Sequence, residues 1–349
     1  MPEALRIVFC WSDISGYMAA CWKALAAHPE VDLRIYAFGN NDETNFNPEL
    51  TKGLDILWVD RSPDQKKLEE EVCEYAPDVI VLCGWFVPAY RKLPSSNKLK
   101  LTKFVLAMDT PWWGTLRQQL GRFALRGFIQ KMDAVLTSGE RSYQYARRLR
   151  AKNIYKFQYG VDVDRLSLNL KARRQKPWPK RFLYVGRYAP EKGIPLLMEA
   201  YREYRNQSED PWELQACGKG LLEHLVKGDG VTNHGFVQPD EMDKTWQSSG
   251  CLILPSTFDP WPLIVVEACA AGLPVIVTHE SGSQVEVVKT FWNGLVIPAN
   301  DEKSLMEALL WIEKHHDRLP EMGKLALTQA RPFAADAWAD KLSDLIATL

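Results

Sequence analysis

The chain has 349 residues, 46% of them hydrophobic and 25% charged, with mean hydropathy -0.26: an ordinary folded protein, long enough for two domains with a core each. Its longest apolar stretch, Val79 to Tyr90, runs to about a dozen residues against the ~20 that a spanning helix needs, so no segment is expected to cross a bilayer. The formal charge of -1 hides an asymmetry, because residues 100–180 hold 18 Lys/Arg and 5 Asp/Glu, a net +13, and such a block favours an anionic surface over a neutral one.

The N-terminal MPEALRIVFCWSD has no basic leader and meets Asp13 before a signal core could form, so a cytosolic protein is expected. From there, strand-like apolar runs alternate with amphipathic segments: 5–11, 31–38, 56–59, 79–85, 104–108 and 134–137. Parallel strands joined by crossover helices have this pattern. After the fifth run, Trp112, Trp113, Leu116, Leu120 and Phe123 stand beside Arg117, Arg122 and Arg126 in a segment predicted helical over 112–132. That mix suits a helix lying on a membrane interface, and equally a solvated helix with its apolar side in the core. Nucleic acid is disfavoured, since no RNA- or DNA-reading motif accompanies the charge.

A polar stretch, 169–180, carries Pro177 and Pro179 and is predicted to be an interdomain linker. Alternation resumes at 182–185, 213–216, 251–254 and 275–278. The expected organisation is a Rossmann-like first domain over 1–168, the linker, a second Rossmann-like domain over 181–332, and a helix within 333–349 returning to the first domain. Two such doubly wound sheets would place ligands at the carboxyl ends of their strands, in a cleft. A dinucleotide is disfavoured because only Gly16 follows the first strand where GxGxxG would be required. The seven cysteines form no CxxC pair and lie mostly in apolar runs, as reduced buried thiols do.

The chemistry-bearing residues cluster in the second half. Gly186-Arg187 follows a strand and Lys192-Gly193 opens the next helix, so two cations five positions apart can converge on one anionic group such as a diphosphate; the ordinary alternative is a pair of solvated side chains. In STFDPWPLIVVEACAAGLPVIVT, Asp259 sits on a loop and Glu267 on the following helix, and carboxylates so placed can accept hydrogen bonds from sugar or ribose hydroxyls. That helix's N-terminus adds N–H groups and a positive dipole end for phosphate. A core helix with two incidental acids is the alternative, against which Glu267 in so apolar a run counts, since an unpaired buried carboxylate is costly. The bend Cys217-Gly218-Lys219-Gly220 would let a flat ring approach bare backbone, and His234-Gly235-Phe236-Val237 marks a further strand end.

Taken in order, these segments resemble the family 4 glycosyltransferases of the GT-B fold, retaining enzymes that build bacterial surface polysaccharides, lipopolysaccharide and glycolipids. The likeness is specific from Val185 to about Leu309 (GR…EKG, the glycine bend, GFV, the paired carboxylates, AAGLPVI, Asn293-Gly294) and loose before it, apart from Tyr159-Gly160-Val161-Asp162. It implies that Glu267 holds the ribose of a nucleoside-diphosphate sugar, Arg187 and Lys192 with Gly186 the diphosphate, and Asp259 with Trp261, Pro262 and Leu263 the sugar. Val237 and Gly218 would border the base, UDP or GDP in type, and Gly16 would be the glycine near the diphosphate. Asp109 falls where the family commonly has a histidine. The sequence departs from the family in Asp259 where a longer Glu is usual, in Pro262, which lacks an N–H, and in having one glycine after the first strand.

The resemblance implies sugar transfer with retention to a hydroxyl of a glycan or lipid-linked acceptor in cell-envelope synthesis; the basic block over 100–180 adds the expectation that a cytoplasmic protein sits peripherally on the inner face of the cell membrane. Catalysis would fall to Asp109, Arg187, Lys192 and Asp259, with no cofactor and no metal ion. A catalytically degenerate protein that binds a nucleotide sugar or a partner, and a nucleotide-sugar epimerase, remain alternatives.

Overall fold

The computed structural model describes residues 4–39, 47–157 and 159–349. They divide into two compact units, Met1–Gly160 with Ala335–Leu349, and Val161–Ala334.

The first unit is built on a seven-stranded parallel sheet of β1 (Leu5–Asp13), β2 (Val31–Phe38), β3 (Asp55–Val59), β4 (Val79–Cys83), β5 (Lys103–Met108), β6 (Ala134–Thr137) and β7 (Ile154–Tyr155), in the order β3-β2-β1-β4-β5-β6-β7. The central strands are covered on both faces, which is why β4 is apolar and buried at every position. The chain leaves β1 toward one edge and returns to its other side at β4, so the strand order reverses there. Such switch points are where open α/β sheets bind ligands. The C-terminal helix Ala335–Ala347 packs on this unit, as expected: Leu342 and Trp338 are buried, and the Trp338 ring centroid lies 6.2 Å from that of Phe9.

The second unit repeats the plan with β8 (Arg181–Val185), β9 (Glu213–Cys217), β10 (Val231–Gly235), β11 (Cys251–Leu254), β12 (Val275–Thr278) and β13 (Gly294–Ile297), in the order β10-β9-β8-β11-β12-β13 and parallel throughout. Its switch point lies between β8 and β11. All seven cysteines are free thiols, six of them buried.

The expected linker is corrected. Residues 169–173 complete the helix Val163–Arg173, and the described chain passes between units at Gly160/Val161 and again at Ala334/Ala335. The helix belongs to the second unit because Leu166 and Leu170 are buried and Arg173 is a buried hub, donating to the carbonyls of Ala271, Gly272 and Trp246 at 3.1, 3.0 and 2.5 Å. The first unit's segment thus ends eight residues earlier than 168. The expected helix over 112–132 is also shorter: Gly114 takes a left-handed conformation with φ of 69°, so helices run only over Leu116–Ala124 and Arg126–Ile129.

Candidate functional site

In the second unit, the loops leaving β8 and β11 at the switch point press together. β8 hands the chain to Gly186 and Arg187, then to a 3-10 turn over Pro190–Lys192 and the helix Ile194–Gln207. Gly193 ends the turn at φ 73°, and a Cβ there would lie 2.1 Å from the Pro255 carbonyl oxygen, so only glycine lets the loops touch. The Thr257 and Phe258 N–H groups donate to the Glu191 carbonyl at 2.9 and 3.2 Å.

This contact brings Lys192 Nζ to 2.5 Å from Asp259 Oδ2. Asp259 is 7% exposed, and burial raises its carboxyl above the usual range while Lys192 and then Arg187 pull it down. Arg187 therefore acts on the same carboxylate, and its guanidinium donates to Glu191 Oε1 at 2.9 Å. Lys192 and Asp259 thus meet at the carboxyl edge of the sheet, and Arg187, paired with Glu191, stands near enough for its charge to act on the same carboxylate. Beyond Asp259, Trp261 is buried with its ring centroid 5.4 Å from that of Phe333, and Pro262 and Leu263 begin the helix Leu263–Ala270.

Glu267 lies within that helix. Burial pushes its carboxyl up to about 7, opposed by the charge of Arg165, and among the described residues no side chain or N–H bonds to the carboxylate. A largely buried carboxylate without a protein partner is available to a ligand hydroxyl.

The glycine bend joins the same edge. Gly218 N–H donates to the Gly235 carbonyl at 2.8 Å, and a Cβ on Gly218 would stand 1.9 Å from the Gly186 carbonyl oxygen. The ends of β8, β9 and β10 are thereby held in register, with Val237 two residues past the last of them. Sequence reasoning missed two supports: Tyr184, whose buried hydroxyl donates to the Arg187 carbonyl at 2.9 Å, and the Ser281-Gly282 turn, whose Gly282 N–H donates to the Asp259 carbonyl at 2.9 Å. Tyr184 alternates within a strand and reads as core; the Ser-Gly pair after β12 was the available signal for the turn.

In the first unit the switch point holds a cavity of about 820 Å³, lined from the ends of β1, β4 and β5 by Trp11, Asp13, Trp85, Phe86 and Asp109, and from the helical side by Trp113 and Tyr145, among others. Asp109 follows β5 and accepts from Tyr159 Oη at 3.3 Å; burial raises the Tyr159 hydroxyl further, and the Asp109 charge adds to it. Asp109 does not cap the following helix; Thr115 does, its hydroxyl accepting from Gln118 N–H at 3.2 Å. Gly16 opens the helix Gly16–Ala26, and its neighbours Asp13 and Tyr17 line the cavity while it does not.

Residues 169–327 match the family model of Glycosyl transferases group 1. The group 1 match covers the whole edge from Arg187 to Glu267. Over 130 residues the chain is 32% identical to the uncharacterized glycosyltransferase MJ1607 of Methanocaldococcus jannaschii, covering 35% of this chain and 33% of that protein. It is 26% identical over 207 residues to the putative colanic acid biosynthesis glycosyltransferase WcaL of Salmonella typhimurium, covering 54% of this chain and 50% of the relative. The matches therefore span a third to a half of these curated relatives. A crystal structure of Anabaena Alr3699/HepE in complex with UDP superposes with a TM-score of 0.75 at 13% identity, covering 99% of this chain and 100% of that one. The group 1 stretch and the two parallel sheets together make the architecture GT-B. Among the described residues, no group of three or more His, Cys, Asp or Glu side chains is placed to hold a metal ion, and no helix is long and apolar enough to cross a membrane.

Proposed function

We propose that the chain is a retaining, family 4 type glycosyltransferase that moves a sugar, hexosyl in type, from a nucleoside-diphosphate sugar to a hydroxyl of a glycan or lipid-linked acceptor in cell-envelope polysaccharide or lipopolysaccharide synthesis. The observation that carries this is the meeting of Arg187, Lys192 and Asp259 at the switch point of the second sheet, on the stretch that matches the group 1 family. A uridine donor is favoured over a guanosine one by the Anabaena neighbour, whose structures hold UDP and UDP-glucose; WcaL's name supports a polysaccharide product.

In this reading the Glu267 carboxylate accepts from ribose hydroxyls, and the bare backbone at Gly218 with Val237 borders the base. Arg187 and Lys192, with the Gly186 backbone and the N-terminus of the helix Leu263–Ala270, face the diphosphate, while Asp259, Trp261, Pro262 and Leu263 face the sugar. The bond from the anomeric carbon to the β-phosphate oxygen breaks, and a bond from the acceptor oxygen forms on the same face. The acceptor proton passes to the leaving diphosphate. Positive charge fixed before reaction stabilises the negative charge that grows there, which is the largest electrostatic contribution such a site can make. With two cations in that role we propose that no metal ion is required. Asp109, with Gly16 nearby in sequence to the cavity wall, is the proposed first-unit contribution, and the cavity is proposed to take the acceptor. The protein is proposed to work in the cytoplasm, peripheral to a membrane.

The test is a melting-temperature screen against UDP, GDP, ADP, CMP and their sugar conjugates, followed by product analysis with the sugar nucleotide that binds. A ligand that binds only the folded state must raise the melting temperature. A shift with one diphosphate series, lost in Glu267→Ala, and a glycoside product support the reading. A shift without a product supports a binding protein, and an isomerised donor an epimerase.

A further inference from the structure

The helix Leu116–Ala124 turns its apolar side the wrong way for a core. Leu116, Leu120 and Phe123, spaced i, i+4 and i+7 on one stripe, are 78%, 70% and 64% exposed. The opposite side is the one that packs: Gln118 is buried, donating to the Pro111 carbonyl at 2.7 Å and accepting from Trp113 N–H at 2.8 Å, and Gln118, Gly121 and Leu125 line the cavity. Arginines flank the stripe, Arg117 on one side and Arg122 and Arg126 on the other, all exposed. Between Thr110 and Met132 there is no acidic residue, and among the described residues none of the three arginines has a carboxylate partner. The Arg122 guanidinium instead lies 4.8 Å over the Phe123 ring. At the rim of the cavity Phe86 and Trp113 are 63% and 43% exposed.

We propose that this face docks on an anionic phospholipid bilayer, with Leu116, Leu120 and Phe123 in the acyl boundary and Arg117, Arg122 and Arg126 at the phosphates. Charge decides the occupant: a second copy of the same face would set arginine against arginine, whereas an anionic leaflet attracts each basic residue held near it, and an apolar stripe between cations is how an interfacial helix is built. Because the same helix walls the cavity, docking brings that cavity to the membrane surface, where a lipid-linked acceptor carries its headgroup; this last step rests on the transferase reading, and the docking does not.

The experiment is flotation of the full chain with vesicles of phosphatidylcholine alone or with about a third phosphatidylglycerol, alongside UDP-induced melting shifts and solution mass. The wild type is expected to float only with the anionic vesicles, less so in high salt. The triple variant Leu116→Ser, Leu120→Ser, Phe123→Ser should lose at least about tenfold in partitioning, as expected for removing three inserted apolar side chains. Arg122→Glu with Arg126→Glu should abolish the preference for anionic lipid. Both variants should keep the wild-type melting temperature and any UDP shift, which shows that they are folded. Flotation that is absent, equal on neutral vesicles, or unchanged in the triple variant overturns the proposal, as does a wild-type dimer that the triple variant dissociates. A shift missing with every nucleotide of the screen, with flotation intact, removes the transferase reading and leaves the docking standing.

Discussion

Lys192 Nζ meets Asp259 Oδ2 at 2.5 Å across 67 residues of sequence, and both side chains are largely out of water. Removing one member of a buried pair leaves the other charge unpaired, which costs about 3–5 kcal/mol when burial is full and less where water still reaches. Lys192→Met should therefore lower unfolding stability in urea by about 2–3 kcal/mol, taking the low side of that range for a partly wetted lysine. Asp259→Asn should cost less, because the lysine arm can move into solvent. The double variant should recover part of the Lys192→Met loss, and recovery of none would show that the pair does not couple the two loops. Nucleoside-diphosphate affinity should fall at least about tenfold in both lysine variants, since the charge facing the phosphates is gone.

Glu267 supplies a pH dependence with a definite sign. Its carboxyl sits at about 7 in the folded chain, above the ordinary glutamate value, so between those two pH values the unfolded state has released a proton that the folded state keeps. Stability from this group is full below the ordinary value and is lost as pH rises toward 7. Wild-type urea midpoints should drop between pH 5 and pH 7.5, and Glu267→Gln should flatten the slope. Ligand binding should run the other way. Ribose hydroxyls bond best to the ionised form, so nucleotide affinity should rise from pH 5.5 to pH 8 in the wild type and stay flat in Glu267→Gln, as measured by calorimetry.

The glycine contacts can be tested by one carbon atom each. A methyl on Gly218 would enter the Gly186 carbonyl at 1.9 Å, and on Gly193 the Pro255 carbonyl at 2.1 Å, at a φ that L residues rarely take. Both obstacles are backbone, so a sheet edge must move to admit them. Gly218→Ala and Gly193→Ala should each lose more than about 2 kcal/mol in thermal or urea unfolding. Gly127→Ala, where nothing lies within 4 Å, is the control and should be neutral or slightly stabilising.

The two sheets were legible because their central strands are buried on both faces and therefore read as unbroken apolar runs, VIVLC and CLIL among them, whereas the edge strands β3 and β10 are largely exposed. β7, two residues long, and β13, which begins with a glycine, fall below that signal. In the candidate site, the residue types and their order along the chain pointed to an edge of cations and carboxylates; the pairing of Lys192 with Asp259 did not, since it depends on how two loops 67 residues apart cross at Gly193. The exposed stripe Leu116, Leu120 and Phe123 was visible as a pattern, but periodicity cannot say which side of a helix the core takes.

Arg173 shows most plainly why 169–180 misreads as a linker. An arginine beside Arg174 and Lys176 looks solvated in sequence, yet its guanidinium is 2% exposed, holds the carbonyls of Ala271, Gly272 and Trp246, and lies 5.0 Å over the Trp178 ring. Burial pulls its pKa down to about 9, and the carbonyls it caps end the helices Leu263–Ala270 and Asp243–Ser248. Arg173→Met should thus leave three buried carbonyl oxygens without a donor and cost about 3 kcal/mol or more, at roughly 1–3 kcal/mol per orphaned group partly met by water. Arg174→Met, its exposed neighbour, should change stability by less than about 0.5 kcal/mol. If the segment were a hinge, the two substitutions would be equally silent; a large loss at Arg173 alone, read from urea unfolding, fixes the helix Val163–Arg173 as a wall of the second unit, packed against the helix Leu263–Ala270 that carries Glu267.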